Sequence, residues 1–358
     1  MNGLGKYDLS QSYQWNYDHC PEPVAIKVPE LTGRWNFGGL KLDSPIGIPA
    51  GPLLNGQWCM YYASLGFDFL TYKTVRSVER ACYPLPNLQP VVCGQLQGNE
   101  DCVTACDDLQ SSWAVSFGMP SQPPKVWRQD VEATRNKLPK QKLLCVSVVG
   151  TIQDGWSMDQ LAEDYAQCAK WAIESGADCI EANFSCPNVS TCDGQLFQNP
   201  THSAIVAARI REAVGRTPFL VKIGQVNSPE SVIGLVDTLA PFIDGFAMTN
   251  SLALTVRDRN NQLMFGGQPR GICGSATFEA SLRQTRLFSD HIRDSKFELD
   301  LIGVGGISTS SHVRKYLDAG ASLVHLATSA MINPRVGIEI KRQLQDSFTA
   351  SPNPPTQT

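Results

Sequence analysis

No pair among the 12 cysteines is spaced C-x-x-C, so the chain encodes neither a zinc knuckle nor a ferredoxin-type cluster. Cys102 and Cys106 stand four apart, but no histidine or further cysteine completes a four-ligand set, and no metal is expected. No apolar run approaches the ~18 residues of a membrane span. The N-terminal stretch "MNGLGKYDLSQSYQWNYDHC" lacks the basic-then-apolar pattern of a secretory signal. No basic block is interleaved with aromatics, and a net charge of −4 gives no support to a nucleic-acid partner. No G-x-G-x-x-G follows the first apolar run, where "PAGPLLNG" stands instead, which argues against a doubly wound dinucleotide-binding sheet. What remains is a soluble protein with neither membrane nor nucleic acid as partner. Its many unpaired thiols fit a reducing, cytoplasmic setting.

With 358 residues, 42% hydrophobic and 18% charged, the chain can bury a large core without disulfides. Eight short apolar, β-branched runs recur along it: "IGIPA" (46–50), "FLTYK" (69–73), "LLCVSVV" (143–149), "CIEAN" (179–183), "FLVKI" (219–223), "GFAMT" (245–249), "LIGV" (301–304) and "LVHLA" (323–327). Near-continuous apolarity suits parallel strands covered on both faces. Helical patterns fill the gaps. "SMDQLAEDYAQCAKWAIESG" opens with a serine cap and ends in glycine, and "THSAIVAARIREAVG" and "STSSHVRKYLDAG" have the same form. Eight βα units predict an α/β fold, a closed (βα)8 TIM barrel with a long insertion between strands 2 and 3. That insertion, residues 74–125, is rich in Pro, Gly and Cys, shows no clear helical periodicity, and reads as a functional lid. The expected organisation is an N-terminal extension (1–40), the barrel (41–347) and a disordered tail (348–358).

Barrel active sites lie at the C-terminal ends of the strands, often with a phosphate site after strands 7 and 8. Strand 7 runs into "GVGGIST", where Gly305 and Gly306 let backbone N–H groups approach an anion, and strand 8 runs into "LATSA", which offers Thr328 and Ser329. Lys73 and Lys222 each end a strand. A lysine in a barrel mouth needs negative charge nearby, such as a reduced flavin, or else solvent or a structural acid. Asn183, Asn188 and Asn250 follow strands 4 and 6; each fits the N–H and C=O edge of a cyclic amide, or caps a loop. Cys186 is a thiol among these polar groups and titrates near enough to neutrality for proton transfer, unless it is an inert buried thiol. No histidine lies near it in sequence, so a papain-like nucleophile is unsupported. His325, on the last strand, reads as a satisfied core histidine.

Together "EANFSCPNV", "TYKT", "VKIG", "TNS", "RGICG" and "GVGGI" resemble the dihydroorotate dehydrogenase family, including the pyrimidine-reducing domain of dihydropyrimidine dehydrogenase, over about residues 40–340. The resemblance implies an FMN-binding barrel that moves a hydride between C6 of a pyrimidine and flavin N5. It gives Cys186 the C5 proton, as in the soluble, cysteine-using members, and puts Lys73 near flavin and substrate. Lys222 falls on the flavin pyrimidine edge. Cofactor contacts carry over to Ala50, Gly51, Thr74, Asn183, Thr249, Gly271, Gly274, Gly305, Gly306, Ala327 and Thr328. Substrate contacts carry over to Lys73, Gly118, Met119, Asn183, Asn188, Asn250 and Ser251. Three positions depart from the pattern: Val115 replaces a substrate asparagine, Ala327 a glycine, and Arg270 a frequent glycine. The flavin site is thus expected intact and the substrate pocket altered. The expected substrate is dihydroorotate or a related cyclic amide; the same flavin chemistry on a different substrate, a specialised-metabolite precursor or a dihydropyrimidine, and a flavin-free phosphate-binding barrel are the other readings. A small-molecule substrate is implied, with a homodimer and a separate electron-transfer partner as further expectations.

Overall fold

The computed structural model describes residues 3–31, 33–185, 195–226 and 228–350. Cys186 and Asn188 lie outside the described residues. Eight parallel strands close into one barrel: β1 (Ile46–Ile48), β2 (Phe69–Val75), β3 (Leu143–Val148), β4 (Cys179–Asn183), β5 (Phe219–Lys222), β6 (Gly245–Met248), β7 (Asp300–Val304) and β8 (Leu323–His325). Each pairs with the next, and β8 returns to β1 through Val324 and Ile46. All eight apolar runs are strands, which confirms the (βα)8 expectation.

Side-chain alternation sorts each strand into two faces. Leu70, Tyr72, Leu144, Val146, Ile180 and Val221 pack outward into the cluster shared with the helices. Phe69, Leu143, Cys145, Cys179, Leu220 and Leu323 point inward. The hairpin of Trp35–Phe37 and Leu40–Leu42 closes the N-terminal end with Phe37 and Leu42, which join the interior cluster. Two residues further along each strand the inward positions turn polar: Thr71 and Lys73, Ser147, Glu181 and Asn183, Lys222, Thr249, and His325. The interior is therefore dry and apolar at one end and hydrogen-bonding at the other.

The helices follow local signals. The helix Met158–Glu174 has a full capping box between Ser157 and Gln160. The helix Pro200–Val214 starts slightly earlier than its sequence pattern suggests. Pro200 takes the first turn, and the Asn199 side chain accepts from the His202 N–H. Residues 74–125, read from sequence as a functional lid, carry regular structure. They contain the strands Leu88–Val92, Cys102–Ala105 and Ser112–Val115, which join Leu252–Arg257 and Arg270–Gly274 in a second, five-stranded closed sheet. Gly271 and Gly274, carried over as cofactor contacts, lie in one of its strands. Its own core contains Val91, Val103, Ala114, Leu254 and Ile272.

The C-terminal helix Val336–Ala350 is pinned by a buried ion pair. Lys341 Nζ lies 2.7 Å from Asp68, and Lys142 Nζ lies 2.6 Å from the other carboxylate oxygen. Burial alone would raise the Asp68 pKa, but Lys341 and Lys142 outweigh it and hold the carboxyl below its ordinary value. The stabilisation from Asp68 is therefore complete above its unfolded pKa of ~3.9 and is lost as pH falls through the lower folded value. Asp68→Asn should destabilise the fold by about 3–5 kcal/mol in urea unfolding at pH 7, because two lysines lose a buried counter-charge. At a pH below the folded pKa of Asp68 the difference from the parent chain should largely vanish.

Candidate active site

The strand ends deliver their polar side chains to one mouth. Thr74 and Ser147 hydroxyls lie 2.9 Å apart across β2 and β3. Asn183 Nδ2, from β4, donates to Thr74 Oγ1 at 3.5 Å and faces Met119 Sδ at 3.6 Å. Asn183 Oδ1 accepts from the Ser185 N–H at 3.2 Å, and Asn250, after β6, donates through Nδ2 to the Ser185 carbonyl. An arc of hydrogen bonds thus runs Ser147–Thr74–Asn183–Ser185–Asn250 across four strands. Ser185 directly precedes Cys186 in the chain.

Lys73 stands beside this arc. It is buried, with Nζ 4.7 Å from the centre of the Phe117 ring and 5.6 Å from that of Tyr13. Gly118 and Met119 both adopt positive φ, 73° and 51°, as the insertion turns over the mouth. A side chain at Gly118 would strike the Tyr83 ring at 2.7 Å. Cys82 is half-buried near Lys73; burial pushes its thiol up to about 11 although Lys73 pulls the other way. Cys82 is therefore a neutral thiol at physiological pH.

On the other side of the mouth lies a cleft that opens to solvent. Asn250, Gly274, Gly305, Gly306, Ala327 and Thr328, all singled out from sequence, line it. Gly305 and Gly306 have φ of 140° and 65°. A Cβ on Gly305 would meet Ser281 Oγ at 2.3 Å, and one on Gly306 would meet Phe278 Cβ at 2.6 Å, so both need glycine. The short helix Thr328–Ile332 begins at Ala327 with no side-chain cap. Ala50 and Thr249 are buried at strand ends, Gly51 follows Ala50 at the end of β1, and Ser251 follows Asn250.

The sequence model of the family described as dihydroorotate dehydrogenase matches residues 34–348. The chain belongs to the dihydroorotate dehydrogenase family. A dihydroorotate dehydrogenase of Dictyostelium discoideum is 29% identical, over 93% of this chain and 95% of that protein. The catalytic subunit of a dihydroorotate dehydrogenase B (NAD(+)) from Desulforudis audaxviator is 25% identical, over 87% and 91%. A dihydroorotate dehydrogenase (quinone) from Acinetobacter baylyi is 24% identical, over 80% of each chain. The crystal structure of the DHODH of Eimeria tenella in complex with ferulenol superposes with a TM-score of 0.73 at 18% identity, covering 92% of this chain and 88% of that one, and shows the same fold. Members of this family are flavin oxidoreductases acting on CH–CH bonds, and so is this chain.

The residues present fit a flavin. The cavity joins a glycine-lined, uncapped helix start, suited to a phosphate, to buried polar side chains suited to a ring edge. Among the described residues the Thr249 and Ser185 hydroxyls are buried without a hydrogen-bond partner, and buried groups of this kind need one. Lys222 points inward beside them, next to Glu181. Burial raises the Glu181 pKa, although Lys222 and Ser147 favour its charged form.

Sequence reasoning missed several members of the site. Tyr13, from the N-terminal segment, carried no motif. Phe117 sat inside a segment read only for its glycine and methionine. Cys273 lines the cavity and accepts from Thr328 Oγ1 at 3.2 Å; its neighbours Gly271 and Gly274 were the signal that could have found it. His325 is buried as expected but is not satisfied: among the described residues neither ring nitrogen has a hydrogen-bond partner, and the ring borders the cavity. Burial, and secondarily Lys222, lowers its pKa to about 3. An unfolded histidine titrates near ~6.5, so the contribution of neutral His325 is complete above that pH and is lost as pH falls toward the folded value. Each pH unit travelled below ~6.5 with the folded ring still neutral costs about 1.4 kcal/mol of stability. His325→Gln should therefore reduce the stability lost between pH 7 and pH 5 by about 2 kcal/mol in urea unfolding.

Proposed function

We propose that this chain is an FMN-dependent dehydrogenase that interconverts dihydroorotate and orotate. The observation that carries the reading is the hydrogen-bonded arc through Thr74, Asn183, Ser185 and Asn250, set between Lys73 and the cavity. Carboxamides on one side and an ammonium on the other match a ring with alternating N–H and C=O groups and one carboxylate. Lys222 and Thr249 would hold the flavin ring edge. Gly305, Gly306, Ala327 and Thr328 would hold its single phosphate. When bound, FMN supplies the two-electron hydride acceptor for C6 of dihydroorotate.

The chain's own chemistry is the C5 proton. Cys186 takes it as a thiolate, whose ordinary pKa of ~8.5 is near enough to neutrality for that role. Lys73, Asn183, Asn188, Asn250 and Ser251 bind and orient the ring, with Gly118 and Met119 covering it. One C6 hydride and one C5 proton leave together, which balances oxidation to the C5–C6 double bond. The ten described cysteines are all free thiols, which supports a reducing, cytoplasmic location. The acceptor that reoxidises the flavin is a further choice, since the relatives are named for NAD(+) and for quinone.

A second reading keeps the flavin and changes the substrate. Val115, where the family pattern has asparagine, lies in a strand of the second sheet, paired with Leu88 and Gly271. A valine offers no side-chain hydrogen bond to an orotate edge. A specialised-metabolite precursor or a dihydropyrimidine would then be the substrate.

An anaerobic visible spectrum of the purified protein, before and after adding dihydroorotate, separates these readings. Immediate bleaching of a flavin band is expected. A flavin band that persists discards dihydroorotate in favour of the second reading, and a colourless protein discards both for a flavin-free phosphate-binding barrel. In Cys186→Ala, flavin should stay bound while its reduction by dihydroorotate slows ~10²-fold or more; unchanged reduction removes Cys186 from the role.

A further inference from the structure

The family match begins at residue 34, yet residues before it reach the active site. Tyr7 and Tyr13 both pack edge-on against Phe117, with ring centres 6.1 and 5.7 Å away. Phe117 and Tyr13 in turn face the Lys73 ammonium at 4.7 and 5.6 Å. Tyr7, Tyr13, Phe117 and Lys73 are all more than nine-tenths buried.

The segment that carries these rings is firmly held. Asn16 ties it into a compact turn, accepting from the Asp8 N–H at 2.7 Å and donating to the Asp8 and Ser12 carbonyls at 3.0 Å. Trp58 Nε1 donates to the Asn16 carbonyl at 3.0 Å, and Tyr61 OH to the Gly5 carbonyl at 2.7 Å. The Tyr13 N–H donates to Asn87 Oδ1 at 3.2 Å, and Asn87 Nδ2 donates to the Ser116 carbonyl at 3.2 Å. Asn87 therefore binds the N-terminal segment and the Phe117 strand-end to each other. The roof over Lys73 is one unit built from two distant stretches of chain.

We infer that Tyr13 is a specificity-determining residue: with Phe117 it forms an aromatic roof that holds the Lys73 ammonium toward the substrate and selects an anionic group at that end of the ring. The inference rests on the proposed function for the placing of Lys73 and names what that site discriminates. The ring faces attract the cation and keep water from it. An ammonium kept from water attracts a carboxylate more strongly than one in solvent. A neutral pyrimidine gains nothing from this arrangement. Tyr13 touches neither the hydride nor the proton, so its effect is on binding.

The test uses the full, flavin-loaded chain and two probes, orotate and uracil, which share the ring and differ in the carboxylate. Dissociation constants are read from the perturbation of the flavin spectrum. Tyr13→Phe keeps the ring face and should bind orotate within about 3-fold of the parent. Tyr13→Leu keeps apolar bulk without the ring face and should weaken orotate ~10-fold or more while shifting uracil far less. A leucine variant that binds orotate as tightly as the parent, or that weakens both probes equally, overturns the inference. A parent protein that binds neither probe defeats the orotate reading instead. The roof is then judged by acylation of Lys73 with an amine-reactive reagent, followed by mass spectrometry. Greater modification in Tyr13→Leu than in the parent supports the roof, and equal modification overturns it.

Discussion

The register of β2 is the constraint on which the site depends. Its inward residues are Phe69, Thr71 and Lys73, and its outward ones are Leu70 and Tyr72. A slip of one residue would drive Leu70 and Tyr72 into the barrel and turn Lys73 against the helices. Tyr72 fixes the register from outside. Its hydroxyl donates to Asp130 at 2.7 Å, on the helix Pro124–Lys137, and the same carboxylate oxygen accepts from the Gly56 N–H at 2.7 Å. One outward hydrogen bond therefore helps set which way Lys73 faces. The other strands repeat the logic with apolar outer faces, so the polar mouth is a consequence of ordinary helix-on-sheet packing.

The same alternation separates stability from chemistry along the barrel axis. Phe37 and Leu42 seal one end, where the interior can be filled with apolar side chains at no electrostatic cost. Inside the barrel the buried lysines, the glutamate and the histidine lie toward the other end, where Lys222 influences both Glu181 and His325. A charged group in a dry interior costs several kcal/mol unless paired. At the mouth, among the described residues, the Ser185 and Thr249 hydroxyls and both His325 ring nitrogens are buried without a hydrogen-bond partner, which a bound group would supply.

The barrel was legible in the sequence because each strand is covered on both faces and so is apolar nearly throughout. Lys73, Asn183, Lys222 and the glycines after β7 were legible for the converse reason, as polar or flexible residues at the ends of such runs. The second sheet was not. Its strand Leu88–Val92 contains Pro90, Cys102–Ala105 alternates exposed and buried positions over only four residues, and neither shows the length or periodicity of a strand on its own. Its closing pairs join residues far apart in the chain, Thr255 with Cys102 and Gly271 with Val115. No local pattern encodes such a pairing. Arg270, read from sequence as a departure, helps fix it: the guanidinium stands 4.9 Å from the Phe265 ring and 5.6 Å from that of Tyr83, and Nε donates to Ser116 Oγ at 2.8 Å. The N-terminal aromatic residues were invisible for the same reason, since their role exists only through contacts with Phe117 and Lys73.

The two halves of the site thus have different origins. The half proposed for the flavin is made mainly by the barrel, from strand ends and the loops after β7 and β8, with Cys273 and Gly274 added from the second sheet. The half proposed for the substrate is roofed by added parts: the N-terminal segment, the insertion after β2 and the sheet it shares with residues after β6. Changes in those parts alter what is bound without disturbing the barrel that performs the transfer. Relatives named for NAD(+) and for quinone match the greater part of this chain, so the barrel alone does not fix the electron acceptor. The acceptor has to be read from surfaces outside the shared core, just as the substrate has to be read from the roof over Lys73.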